Sequence, residues 1–216
     1  MSVTLANAQI DHIVITAPSL FSGVAYVGET LGVLMEEGGE HLRMGTHNKL
    51  LRLGDALYLE VIAINPNARR PVHPRWFGLD HQTEPKLAGW VARTNDIKRA
   101  VAASPIPLGE VESMQRGDLN WLITIPPDGS FPFDGVAPVL IQWQGDSHPA
   151  QRLISSGCSL VRLEGYHAEA KTIEAMLNAI RLDDNFAVSA LPPEKSPNLL
   201  ALIKTPTGIR QLSSAT

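Results

Sequence analysis

Two apolar segments of the sequence are each interrupted by one residue that can act as an acid, a base or a metal ligand. His12 lies in the run IDHIVI, and Glu60 lies in the run LYLEVIAI. A carboxylate is costly to bury unless it is protonated, paired or bound to a metal ion. We therefore expect His12 and Glu60 to lie close together in the folded chain, as the catalytic residues of a buried site.

Four polar residues precede the second segment and are candidates for binding a substrate. They are His41, Thr46, His47 and Asn48. In the functional interpretation their side chains orient the polar head of a small molecule. In the structural alternative both histidines are satisfied by backbone groups, and Thr46 and Asn48 shape a turn, since such side chains readily bond nearby backbone.

Aromatic residues and one arginine complete the candidate substrate site. Trp76 and Phe77 lie in a polar loop, where two adjacent aromatic residues either pin the loop to the body or line a pocket. Trp90 and Trp121 lie in later apolar segments. Arg116 precedes a Gly-Asp pair, so it either forms a hairpin corner or holds a carboxylate or phosphate with its guanidinium group.

Composition and charge exclude several classes of partner. The 216 residues are 44% hydrophobic and 19% charged, as in a globular protein with a sizeable core. The net charge is -4 and the sequence has no basic block, which argues against nucleic acid and an anionic membrane surface as partners.

Cysteine content and the amino-terminal segment indicate the compartment. Cys158 is the single cysteine, so an internal disulfide and a Cys-rich zinc site are both excluded. The first residues do not resemble a signal peptide, and no apolar run approaches the length needed to span a bilayer. We therefore expect a cytoplasmic protein.

The order of predicted elements repeats along the chain. Strand and helix patterns over the first 65 residues read β-α-β-β-β, and the same order then occurs twice more, the last time with greater divergence. A Pro-rich loop and a short bridge separate the units. The predicted organisation is a first unit at 1–65, a linker at 66–86, a second unit at 87–145, a bridge at 146–157 and a third unit at 158–216.

This repeated order, with His on a first strand and Glu on a fourth, resembles the glyoxalase-like domain family of the vicinal oxygen chelate superfamily. The motifs that carry the resemblance are DHIV at 11–14, GTHN at 45–48 and YLE at 58–60, with Gly39-x-His41 between them. The resemblance covers at least residues 9–145. It implies an α+β fold in which βαβββ modules form a cupped, strongly curved mixed sheet with helices outside.

The resemblance also implies a cofactor. In metal-bearing members of the superfamily, the first and last strands of paired units point ligands at a divalent ion. His12 and Glu60 match those positions in the first unit, whereas the second unit has Gly89 and Gln142 there. A site of His12, Glu60 and Gln142 would suit Zn, Ni, Mn or Fe, without choosing among them. In the alternative, His12 and Glu60 form a buried pair that holds no metal.

Three functions therefore stay open. The first is a small-molecule lyase, isomerase or dioxygenase that uses the metal. The second is a metal-free protein that binds and sequesters a small, partly aromatic compound between its aromatic side chains, Trp143 among them. In the third, the chain is a structural or oligomerisation module with a vestigial site. We expect the third unit either to extend the assembly or to pack at a homodimer interface.

Overall fold

The computed structural model describes residues 7–215, which form three units in chain order. The first contains β1 (Gln9–Thr16), α1 (Leu20–Leu31), β2 (Glu36–His41), β3 (Thr46–Gly54) and β4 (Leu57–Ile64). The second contains β5 (Lys86–Arg93), α2 (Ile97–Ala103), β6 (Glu110–Arg116), β7 (Leu119–Ile125) and β8 (Val139–Gln144). After a short helix α3 (Pro149–Arg152), the third contains β9 (Ser159–His167), α4 (Ala170–Ala179), β10 (Phe186–Ala190), β11 (Asn198–Thr205) and β12 (Gly208–Ser213).

The first two units share one curled sheet of eight strands. Its order is β2-β3-β4-β1-β5-β8-β7-β6. In each unit the first strand pairs in parallel with the last, and the two first strands, β1 and β5, pair antiparallel at the centre. This arrangement confirms the predicted fold class, an α+β fold with a cupped mixed sheet and helices outside.

The third unit repeats the element order but not the strand pairing. Its sheet has the order β10-β9-β11-β12, so that the first strand of the unit pairs with the second and third strands instead of the last. This small sheet packs on the outer face of the eight-stranded sheet. Leu163, Leu199 and Ala201 from the third unit are buried in the same cluster as Ile13 and Leu140.

Side chains of the central strands alternate between two cores, as the two-residue period of a strand requires. One core lies between the eight-stranded sheet, α1 and the third unit, and contains Ile13 and Ile15 of β1. The other lies inside the cup and contains Val14 from the same strand. The catalytic candidates project into the cup, so the helix-side core supplies the rigid support for them.

The curl of the large sheet brings its two edge strands, β2 and β6, opposite each other. Arg43, just after β2, donates from Nη1 to the Ser113 carbonyl oxygen at 3.1 Å and from Nη2 to the Glu112 carboxylate at 2.8 Å. The edges therefore meet through side chains, and the cup is nearly closed along this line.

Helix α1 is capped at both ends. Ser19 accepts a hydrogen bond from the Ser22 backbone N–H, and the Ser22 hydroxyl returns a bond to Ser19, which together satisfy the first turn. Gly32 ends the helix with a left-handed φ of 69°. Among residues 7–215, no helix is both long and apolar enough to cross a membrane.

Trp90, a predicted substrate contact, lies on the helix side of the sheet and does not reach the cup. Its side chain is fully buried, and its indole N–H donates to the Val136 carbonyl oxygen at 2.9 Å. Its ring lies 4.6 Å from that of Phe186, in the third unit. Trp90 therefore joins the second and third units.

We predict that Trp90→Ala lowers the free energy of unfolding by about 3–5 kcal/mol, because it leaves a large cavity in the core. Trp90→Phe should cost less, since most of the ring volume remains. Urea denaturation of the purified variants measures both effects. A loss below about 1 kcal/mol for Trp90→Ala would show that this contact does not support the fold.

Candidate active site

A bulge in β1 brings Asp11 and His12 within contact of each other. The pairing with β5 shifts by one residue between Ile10, which faces Ala92, and His12, which faces Val91. Asp11 is the inserted residue. In a regular strand, neighbouring side chains point to opposite faces. The bulge redirects them and lets the carboxylate reach the adjacent imidazole.

The Asp11 carboxylate is fully buried and accepts three hydrogen bonds. Oδ1 lies 2.7 Å from His12 Nδ1, and Oδ2 accepts from Trp143 Nε1 at 2.9 Å and lies 3.0 Å from His148 Nε2. Burial alone would raise the pKa of Asp11, but the bonds to His12 and His148 outweigh it and hold that pKa below its usual range. Since an ionised carboxylate can only accept, the His12 proton lies on Nδ1.

His148 comes from the bridge between the second and third units, for which the sequence predicts no function. Its Nδ1 accepts from the Ala150 backbone N–H at 3.2 Å, so that Nε2 carries the proton toward Asp11. Its ring also lies edge-on to Tyr58 at 5.7 Å. The bridge thus supplies one of the two histidines that keep Asp11 ionised.

His12 Nε2 faces Glu60, whose Oε2 lies 3.5 Å away. The two residues sit on neighbouring parallel strands, where His12 aligns with Tyr58 and Glu60 lies two residues farther along the same face. The other carboxylate oxygen of Glu60 accepts from Asn48 Nδ2 at 2.5 Å. His12 and Glu60 are 3% and 5% exposed, so their contact lies out of bulk water.

Two glycines in β2 make room for the polar groups beside them. Asn48 Oδ1 accepts from the Gly39 backbone N–H at 2.8 Å, and a Cβ on Gly38 would lie 2.0 Å from that oxygen. A Cβ on Gly39 would lie 2.8 Å from Arg116 Cδ. Side chains at these positions would displace Asn48, which holds Glu60, and Arg116.

Tyr58 forms the floor beneath His12. Their rings stack with centroids 4.5 Å apart and an angle of 17°. Burial raises the pKa of Tyr58 well above its usual value, and the negative charges of Asp11 and Glu60 add to this effect. The phenol therefore stays protonated and neutral.

A second histidine lies on the opposite side of the cup. Arg116 Nη1 donates to His41 Nε2 at 3.3 Å, so the His41 proton lies on Nδ1 and is donated to Thr46 Oγ1 at 3.1 Å. Burial, together with the positive charge of Arg116, lowers the pKa of His41 well below its usual value. A neutral His41 thus holds the Arg116 guanidinium in place.

Aromatic rings from the linker loop and the second unit fill another part of the cup. Phe77 stacks between Trp76 at 5.3 Å and Phe131 at 4.7 Å. Its φ of 61° is unusual for a bulky residue and shows that the loop is held by its packing. The Phe131 ring covers Gly89, where a Cβ would lie 2.6 Å from it.

The enclosed space in the cup is small, with a volume of about 20 Å³. Its lining consists of His12, His41, Tyr58, Glu60, Trp76, Phe77, Arg116, Trp121, Ile123, Ile141 and Trp143. This space suits a single water molecule, so a substrate must move side chains to enter. Arg116 also lines an outer groove of about 520 Å³, between Gly39 and Leu153.

The structure brings most of the predicted site residues together. His12, Glu60, His41, Trp76, Phe77, Arg116 and Trp121 line the cavity. Thr46 and Asn48 stand behind them and orient His41 and Glu60. Trp143, an aromatic residue expected in the binding-protein alternative, also lines the cavity.

Two further predicted residues lie elsewhere. His47 is half-buried and sits between Thr46 and Asn48, both buried toward the cup, so the strand period turns it to the other face. Gln142 Oε1 accepts from the Ile97 backbone N–H at 2.9 Å, at the start of α2 on the helix side of the sheet. The expected set of His12, Glu60 and Gln142 is therefore not formed.

Sequence reasoning missed Asp11, Tyr58, Phe131 and His148. Asp11 is an ionisable residue inside an apolar run, which is the same signal that identifies Glu60. In that run, however, the predicted role is given to the neighbouring His12 alone. The sequence gives no comparable signal for Phe131 or His148, which lie in loops and reach the site only through the fold.

The donor set does not fit the expected divalent ion. Among residues 7–215, no three His, Cys, Asp or Glu side chains are grouped as metal ligands would be. His12 and Glu60 alone converge, whereas catalytic zinc sites use three protein ligands. His41 Nε2 is occupied by the Arg116 guanidinium, a cation that would repel a metal ion in the same cavity.

Comparisons with known proteins agree with this architecture. The family model described as "Glyoxalase-like domain" matches residues 10–180. No curated protein matches the sequence. A hypothetical protein from Staphylococcus aureus superimposes with a TM-score of 0.63 and 16% identity, over 88% of each chain.

Two enzymes of known activity give lower scores. A methylmalonyl-CoA epimerase from Mycobacterium tuberculosis has a TM-score of 0.42 and 16% identity, over 68% of this chain and 93% of that chain. A mutant 4-hydroxymandelate synthase from Streptomyces coelicolor has a TM-score of 0.48 and 12% identity, over 97% of this chain and 63% of that chain. At these identities the likeness concerns the fold alone.

The buried, neutral His41 predicts an acid-sensitive fold. Below pH 6.5 the unfolded chain binds a proton at His41 that the folded protein does not, so the free energy of unfolding falls with decreasing pH. This single group contributes a slope of up to about 1.4 kcal/mol per pH unit.

We therefore expect His41→Gln to flatten the pH dependence of unfolding between pH 7 and 5, measured by urea denaturation at each pH. His73→Gln is the matched control, because His73 lies exposed in a loop. Equal slopes for wild type and His41→Gln would refute the neutral, buried state of His41.

Proposed function

The chain belongs to the glyoxalase-like domain family of the vicinal oxygen chelate superfamily, and from this we propose that it is a small-molecule enzyme that transfers a proton within its cup. The observation that carries the proposal is the line Asp11–His12–Glu60, with contacts of 2.7 Å and 3.5 Å. An oriented imidazole beside a second proton acceptor is the arrangement that general acid–base catalysis needs.

Each group in the line has a separate part in the proposed reaction. The ionised Asp11 holds the Nδ1 proton of His12 and so directs Nε2 toward the cavity. One of the two bases, His12 Nε2 or Glu60, then takes a proton from an acidic C–H or O–H of the ligand. The proton is returned to the ligand at another position. Tyr58 and the aromatic walls exclude water, which strengthens the electrostatic interactions in the cup.

Lyase and isomerase reactions fit this site best among the expected classes. Both can proceed by proton removal and return, for which side chains are sufficient. Dioxygenase chemistry would need a metal ion or another cofactor to handle oxygen. Since the converging donors do not fit a divalent ion, that reaction is not part of the proposal.

A metal-free binding protein is the second candidate function. The observation that favours it is the aromatic lining, in which Trp121 and Trp143 lie 5.4 Å apart and Trp76 stacks on Phe77. Rings in this arrangement would hold a flat, partly aromatic compound by stacking. In that case ligands bind but no proton of the ligand exchanges with solvent.

Proton exchange in D₂O distinguishes the two functions. Protein treated with a chelator is incubated with a panel of small neutral and acidic carbonyl compounds, and NMR follows deuterium incorporation at the carbon next to the carbonyl. We expect exchange of at least one compound, reduced by about 10²-fold or more in His12→Ala and in Glu60→Gln. The rate should be the same without the chelator.

Glu29→Gln is the matched control, because this glutamate is exposed on α1 and remote from the cup. It should exchange like the wild type. Exchange that survives in both cup variants would place the reaction elsewhere. Exchange that the chelator abolishes and a divalent ion restores would reject the metal-free mechanism. Binding without exchange would favour the second candidate.

A further inference from the structure

We propose that the ligand of the cup is a small carboxylate, whose oxygens accept hydrogen bonds from Arg116 and Trp76. This inference deepens the proposed function by naming a substrate class. Its catalytic meaning rests on that function, whereas the binding of a carboxylate is testable by itself. A guanidinium group without a counterion, an indole N–H without an acceptor and the balance of charge in the cup support it.

The first donor is a guanidinium group without a counterion. Among residues 7–215, no carboxylate oxygen lies within 4.0 Å of Arg116, although it is half-buried. Three other arginines of the chain do have carboxylate partners: Arg43 pairs with Glu112, Arg75 with Asp80 and Arg152 with Asp118. Arg116 has no such partner and lines the cavity, so its guanidinium group is available to an anion from outside.

The position of Arg116 is fixed by its surroundings. Its aliphatic stem packs against Gly39, where no side chain intervenes. Its Nη1 donates to the neutral His41, which leaves the other guanidinium N–H groups for a ligand. Thr46 orients His41 in turn. A guanidinium held in this way loses little freedom when it binds an anion, which favours tight binding.

The second donor is the indole N–H of Trp76. It is buried and has no acceptor in the part of the chain that the structure describes. Buried donors are nearly always paired, and an unpaired one costs free energy. Trp76 lines the cavity, and its ring lies 5.0 Å from His41, the same residue that contacts Arg116. A ligand beside His41 would therefore lie next to both Arg116 and the Trp76 ring.

Size and charge favour a carboxylate over a phosphate. The cavity is walled largely by flat aromatic rings, which suit a planar group. Arg116 is the one permanent cation among the residues that line it, and it matches a single negative charge. A carboxylate also accepts two parallel bonds from a guanidinium, which fixes its orientation.

The distribution of charge would orient such a ligand. Asp11 and Glu60 place negative charge at the His12 end of the cup, and Arg116 places positive charge at the opposite side. A carboxylate is attracted to the Arg116 end and repelled from the other. The carbon next to the carboxylate is then directed toward His12 and Glu60, where the proposed proton transfer takes place.

Calorimetric titration with matched ligands tests the proposal. Propionate, pyruvate and lactate are compared with their amides and with methyl phosphate, because the amides keep the shape and lose the charge. We expect at least one acid to bind the wild type about tenfold or more tightly than its amide and than methyl phosphate. Arg116→Gln should weaken binding of that acid by about 10- to 100-fold and leave the amide unchanged.

Further variants keep the result interpretable. Trp76→Phe retains the ring without the N–H and should weaken binding of the acid a few-fold. Arg116→Lys keeps the charge without the planar fork and should give an intermediate affinity. Arg99→Gln, which removes an exposed charge on α2, should bind like the wild type. Circular dichroism confirms that each variant is folded.

Several results would overturn the inference: acids and amides bind equally, methyl phosphate binds best, none of the acids binds, or Arg116→Gln behaves like Arg99→Gln. His12→Ala separates this inference from the proposed function. Acids that bind His12→Ala as well as wild type, with no deuterium exchange in the wild type, would support the carboxylate site and reject the proton transfer. If only neutral compounds exchange deuterium and acids bind no better than amides, the result would support the proton transfer and reject the carboxylate site.

Discussion

The buried carboxylate of Asp11 is the interaction on which the site depends. Its three hydrogen-bond partners come from three parts of the chain: His12 from β1, Trp143 from β8, and His148 from the bridge. An isolated charge in this position would be strongly unfavourable, so the three donors and the carboxylate require one another. Folding that completes this cluster also fixes the tautomer and direction of His12.

The sequence predicts the parts of the fold and site that local patterns determine. The period of apolar residues gives most strands, and the repeated element order leads to the paired units of the curved sheet. An ionisable residue in an apolar run can only be buried beside a partner, and this argument places His12 next to Glu60. Polar residues of β3 follow the alternation of the strand, as Thr46 and Asn48 do.

Features that depend on a single register or on distant contacts are not predictable in this way. The pattern of apolar residues does not show that β1 contains an inserted residue. It therefore cannot predict the contact of Asp11 with His12. In β8, Trp143 faces the cup and Gln142 faces the helices. A shift of the strand register by one residue would exchange these two orientations. His148 is 137 positions from Asp11, and only the folded chain relates them.

The edge strands β2 and β6 lie opposite each other without pairing, so the curved sheet resembles a barrel that is open along one line. We call this line between β2 and β6 the seam. No ladder of backbone hydrogen bonds joins these two strands, which are the ends of the sheet order. Arg43 spans the seam through an exposed ion pair, and contacts of that kind are weak and screened by salt. The hydrogen bond from Arg116 to His41 and the packing of Arg116 against Gly39 cross the same seam. Closure of the sheet along this seam therefore also holds Arg116 beside the cavity.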